Sequence, residues 1–164
     1  MRRSYPGAQR FTARTSNVES MLAALEGSRL AHLVAHGTFH PDNPLFSSLR
    51  FADGGLTVYD LERVDRMPPI MVLSACNSGL QAERPGNETM GFVAALLSAG
   101  CRSVIASTGL VPDSTRTART MEDFHRRLVR GQRPAEALAR AQAEALATGD
   151  DGLVAASFVC FGAG

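Results

Sequence analysis

Polar and apolar positions fall into distinct textures along this chain, and each texture predicts an element. Val18, Met21, Leu22 and Leu25 recur at helical spacing behind Ser16-Asn17-Val18-Glu19, a capping-box pattern, and Gly27 stops the run. Leu30–Ala35 is a short, nearly unbroken apolar run that ends before a helix could form, which predicts a buried strand. Pro41 and Pro44 mark a loop. Leu49–Phe51 and Leu56–Val58 flank Asp53-Gly54-Gly55, a hairpin signal. Pro68-Pro69 then breaks the chain before a second buried strand, Ile70–Ser74.

The second half repeats the alternation. Residues 80–88 form a polar loop, and Thr89–Ala99 is apolar nearly all round, which predicts a buried helix stopped by Gly100. Arg102–Ser107 reads as a strand. Asp113 or Ser114 caps a helix with Ala118, Met121, Phe124, Leu128 and Val129 inward, ended by Gly131. Pro134 opens another, with Leu138, Ala141, Ala145 and Leu146 as its inward stripe and Gly149 as its stop. Ser157–Phe161 reads as a last strand. Strands alternating with helices predict an α/β sandwich with a mostly parallel central sheet flanked by helices. Residues 1–14 are polar and irregular and read as a linker or trimmed end, leaving 15–164 as one domain.

Composition narrows the function classes. The chain has 164 residues, 45% of them apolar, and a net charge of +1. That balance suits one soluble domain and offers no general attraction to nucleic acid or to a membrane surface. No apolar run reaches the length of a membrane span, and Arg2-Arg3 is not followed by the apolar stretch of a secretory signal. Cys76, Cys101 and Cys160 cannot all pair, so free thiols in a reducing cytoplasm are expected.

Chemistry concentrates at the ends of two runs. LAHLVAHG delivers His36 before Gly37, and IMVLSACNSG delivers Cys76 shortly before Gly79. In parallel sheets, function gathers at the carboxyl ends of strands, where both residues fall. A thiol of ordinary pKa is mostly protonated at neutral pH, so a neighbouring imidazole has to take its proton or stabilise the thiolate. His36 as base and Cys76 as nucleophile meet that need. Plainer readings sit beside this one. A free Cys is most often a small buried hydrophobe, but polar Asn77-Ser78 follows Cys76, whereas Cys101 and Cys160 lie in or beside apolar strands and are assigned to the core. His32, inside its strand, is read as a packed, hydrogen-bonded core histidine. His32, His36 and His40 would align as metal ligands on a helix, but the segment reads as strand and loop, so no metal or other cofactor is assigned. His125, next to Arg126 and Arg127, is read as a surface residue. The arginines at 126, 127, 130 and 133 are read as a solvated helix end.

These residues resemble the CHAT family of caspase-like peptidase domains. The resemblance lies in AHLVAHGTF around His36, VLSACNSG around Cys76, the helix MGFVAALLSAG running into CRSVIAS, and more weakly FHRRLVRGQRPAEALARAQ and SFVCFG. It implies a caspase-like three-layer sandwich, with His36 as general base and Cys76 as nucleophile. It further implies that the backbone N–H groups of Gly37 and Cys76 hold the oxyanion. Ser74 stands before Ala75 where caspases carry glutamine, and the glycine after the cysteine comes one position later, at Gly79, which favours the CHAT branch. The family's tryptophans are missing, with Thr108-Gly109-Leu110 and Ala155-Ala156 in their places, which implies a shallow pocket that loop 80–88 or a partner completes. Asp113 has two readings, a helix cap or, by the resemblance, a pocket acid favouring Arg or Lys before the cut bond.

The expected function is a cysteine endopeptidase domain cleaving protein or peptide substrates through an acyl-enzyme. The alternative is a non-catalytic caspase-like interaction module of a larger signalling protein. The partners implied are the substrate and a helical-repeat region of the same or another protein.

Overall fold

The computed structural model describes residues 4–12, 14–38, 46–77, 87–108, 114–149 and 156–164, with the backbone alone at 75–77 and 87–89. Among the described residues six strands form one sheet: β1 (Leu30–Thr38), β2 (Ser48–Arg50), β3 (Gly55–Thr57), β4 (Ile70–Asn77), β5 (Ser103–Ser107) and β6 (Phe158–Gly162). Their spatial order is β3-β2-β1-β4-β5-β6. β1, β4 and β5 are mutually parallel, while β2, β3 and β6 run antiparallel to their neighbours. The parallel core is thus built from the three strands expected to form it, and the hairpin falls where Asp53-Gly54-Gly55 placed it.

Two-residue alternation along the strands divides the core into two layers. On one face Leu33, Met71, Leu73, Val104 and Ala106 meet α1 (Val18–Leu25), α2 (Val58–Leu61) and α3 (Asn87–Ser98) through Leu22, Leu25, Leu61, Phe92, Val93 and Leu96. On the other face Val72, Ile105 and Phe158 meet α4 (Thr115–Val129) and α5 (Pro134–Ala147) through Met121, Phe124, Leu138 and Ala141. The result is a mixed α/β sandwich with helices on both sides of the sheet.

Several local expectations are corrected. β1 and β4 continue beyond Ala35 and Ser74, so His36 and Cys76 lie within ordered strand rather than after it. β1 is half-covered, with Val34 75% exposed, because α4 and α5 sit over β4, β5 and β6. Asn17, not Ser16, caps α1 by accepting from Ser20 N–H, and Asp53 of the hairpin accepts from Val18 N–H at 3.0 Å. Glu19 is drawn instead to Arg63. α3 is amphipathic: Phe92, Val93 and Leu96 are buried, but Met90 and Ala94 are exposed. Ala118, Val129 and Leu146 face outward. The inward stripe of α4 is Thr117, Thr120, Met121, Phe124 and His125. α2, capped by a reciprocal Thr57–Asp60 box, was not expected. In the segment read as a linker, Phe11 packs against the first core layer and Tyr5 bonds to α4. No helix among the described residues is long and apolar enough to cross a membrane.

Candidate active site

β1 and β4 pair in parallel over eight consecutive positions, from Leu30 with Ile70 to Gly37 with Asn77. Within that ladder His36 is in register with Cys76. Neighbouring strands lie about 4.8 Å apart, so the two backbones are adjacent although far apart in sequence. His36 is exposed, and Gly37, the next residue, is buried between Asn77 on one side and Leu49 on the other. Asp113 lies outside the described residues. The cap of α4 is Ser114, whose hydroxyl accepts from Thr117 N–H.

Behind this pair runs a chain of buried and half-buried polar groups. Tyr5 Oη lies 3.0 Å from His125 Nδ1, His125 Nε2 lies 2.9 Å from His32 Nδ1, and His32 Nε2 lies 2.9 Å from Ser74 Oγ. The two imidazoles are stacked at 5.0 Å between centroids. The proton order can run either way along the chain, but each ring has one N–H and one bare nitrogen in both senses. Protonating both rings would set two N–H donors against each other at the His125–His32 contact. Loss of solvent lowers both pKa values, His32 to about 3, with His125 adding to the effect, and His125 to about 4. His32 is therefore the hydrogen-bonded core histidine expected of it. His125 is a correction: it is only 1% exposed. Its spacing from Met121, Phe124 and Leu128 already places it on the inward side of a helix, and the adjacent arginines obscured that signal. Those arginines are in part engaged, Arg126 and Arg127 both pairing with Asp123.

β1 being a strand, His32 and His36 stand roughly 13 Å apart along it, out of reach of one ion; His40 lies outside the described residues. Among the described residues no group of three or more His, Cys, Asp or Glu could hold a metal. Cys101 is buried, and its thiol pKa rises to about 11; burial also raises that of Cys160. Both are poor nucleophiles at neutral pH.

A mixed six-stranded sheet with helices on both sides is compatible with a caspase-like sandwich. The model of the CHAT domain matches residues 3–163, and the chain belongs to that family, which is caspase-like and peptidase-related. No curated protein matches the chain.

Proposed function

We propose that this domain is a cysteine endopeptidase in which Cys76 and His36 form the catalytic dyad. The register of His36 with Cys76 carries the reading. His36 takes the Cys76 thiol proton, the sulfur attacks the scissile carbonyl carbon, and the proton passes to the departing amine. Backbone N–H groups of Gly37 and Cys76 hold the tetrahedral oxyanion. Water, deprotonated by His36, then hydrolyses the thioester and restores the thiol. No cofactor enters the sequence of steps. Asp113 is placed in the pocket for the residue before the cut, where its carboxylate favours Arg or Lys. The substrate is a protein or peptide, the setting is the cytoplasm, and a helical-repeat region is the proposed partner.

The test is turnover of an internally quenched peptide library by the wild type, Cys76→Ala and His36→Ala, with iodoacetamide labelling of Cys76 measured in parallel. Loss of turnover by at least about a hundredfold in each variant is expected. A wild type without turnover whose Cys76 labels no faster than Cys101 or Cys160 would overturn the peptidase reading in favour of an interaction module.

A further inference from the structure

The ladder that aligns His36 with Cys76 continues on the other side of β1. Gly37 is in register with Leu49 and Thr38 with Ser48. Continuing that antiparallel register by one residue sets Arg50 opposite His36, and Arg50 is itself paired with Gly55. Gly55, Arg50, His36 and Cys76 thus occupy one row across four strands. Gly37 and Leu49 are buried on the α1–α3 side, so by alternation His36 and Arg50 belong to the opposite face, where both are exposed.

A cleft of about 370 Å³ opens on the hairpin, lined by Thr38, Ser48, Arg50, Phe51, Gly54 and Gly55 among others. Gly55 lies close to Ser48 there: a Cβ on it would stand 2.9 Å from Ser48 Oγ. One guanidinium with the Thr38 and Ser48 hydroxyls is a donor set suited to a carboxylate. Among the described residues no carboxylate pairs with Arg50. The hairpin's own acid, Asp53, is held by Val18 N–H.

We infer that this cleft is a subsite for a carboxylate on the leaving-group side of the cut bond, with Arg50 as its specificity-determining residue. The inference rests on the dyad reading above. A base that protonates the departing amine stands on that side of the scissile bond. Arg50 lies one strand further from Cys76 in the same direction, so the cleft meets chain that follows the cut. The carboxylate is either an acidic side chain or the C-terminus of the leaving segment.

The experiment compares wild type, Arg50→Gln and Arg50→Glu on quenched peptides that differ only after the cut: Glu, Gln or Lys, each with a free or an amidated C-terminus. The wild type should prefer Glu over Gln by about tenfold in kcat/KM, the scale of one charge-assisted hydrogen bond. Arg50→Gln should level that preference and Arg50→Glu should turn it toward Lys. Preference confined to free C-termini assigns the subsite to the terminal carboxylate. A second readout needs no turnover: alkylation of Cys76 by anionic iodoacetate against neutral iodoacetamide. Arg50→Gln should slow only the iodoacetate reaction, by severalfold. An unchanged reagent ratio and unchanged peptide preference in both variants, with Cys76 still the fastest thiol, overturn the subsite alone. A Cys76 as slow as Cys101 and Cys160 overturns the dyad, and the subsite with it.

Discussion

His32 Nε2 lies 2.9 Å from Ser74 Oγ, tying β1 to β4 just below the register position that His36 shares with Cys76. The other nitrogen of His32 meets His125, so the bridge continues into α4. A strand pair is thereby locked to a helix through rings that are both held neutral.

That arrangement fixes a pH response. Both imidazoles have folded pKa values, about 3 and about 4, below the ordinary histidine value. Above the unfolded pKa of about 6.5 neither state binds the extra proton, and stability is flat with respect to these groups. As pH falls below that value the unfolded chain gains protons that the folded chain refuses, and stability declines until the folded values are reached. Each imidazole contributes up to about 1.4 kcal/mol per pH unit across that window. Urea unfolding followed by circular dichroism between pH 7.5 and 4.5 should show the decline, and His125→Phe should make it shallower by removing one of the two imidazoles. An equal slope in that variant would assign the decline to other groups.

Cysteine reactivity should separate cleanly. Cys101 and Cys160 have thiols pushed upward by burial, whereas Cys76 is proposed to share its proton with His36. Limited iodoacetamide treatment at pH 7 followed by peptide mapping should find Cys76 modified first, by about tenfold or more. His36→Ala should remove most of that lead. Uniform labelling of the three residues would count against the dyad.

Ser114 and Asp113 are adjacent but should behave differently. Ser114 caps α4 through Thr117 N–H, so Ser114→Ala should cost about 1 kcal/mol in chemical denaturation. Asp113→Asn should leave the denaturation midpoint nearly unchanged and reduce preference for Arg or Lys before the cut. A stability loss like that of Ser114→Ala, with selectivity intact, would remove Asp113 from the pocket.

Gly162 closes β6 with φ 95°, and a Cβ there would collide with the carbonyl oxygen of Arg102. Gly162→Ala should therefore destabilise by more than about 1 kcal/mol. Gly131→Ala, also at positive φ but with nothing within 4 Å of the added carbon, should cost less. Thermal melts of the two variants compare strain alone with strain plus a backbone clash.

The local elements were largely legible because their causes are local. Gly27 and Gly131 stop helices at φ 67° and 85°, Pro134 opens α5, and Asp53-Gly54-Gly55 turns the hairpin, each through the backbone freedom of a few neighbouring residues. The Thr57–Asp60 box was equally local and lay readable in Thr57-Val58-Tyr59-Asp60, though masked by the apolar run beside it. Periodicity also identified the three parallel strands and most of the two helices that cover their far side.

What periodicity could not decide is which faces are covered and which residues meet. Val34 is as apolar as Leu33, yet it is exposed while Leu33 is buried, because on its face α4 meets β1 through His32 and the apolar side chains of α4 and α5 pack over β4, β5 and β6. Met90 and Ala94 stay outside on an apolar helix for the same reason: the sheet covers one side of α3 only. Sequence alone located the two strands that lead to His36 and Cys76, since a short-range hydrophobic pattern marks an apolar run, but their extension through those residues follows from the pairing of β1 with β4. Tertiary structure alone decided that the two share a register position, that Arg50 stands in the same row, and that Tyr5, His125, His32 and Ser74 join into one chain. Those contacts span up to 120 positions; they depend on strand pairing and layer packing, which no local window of residues encodes.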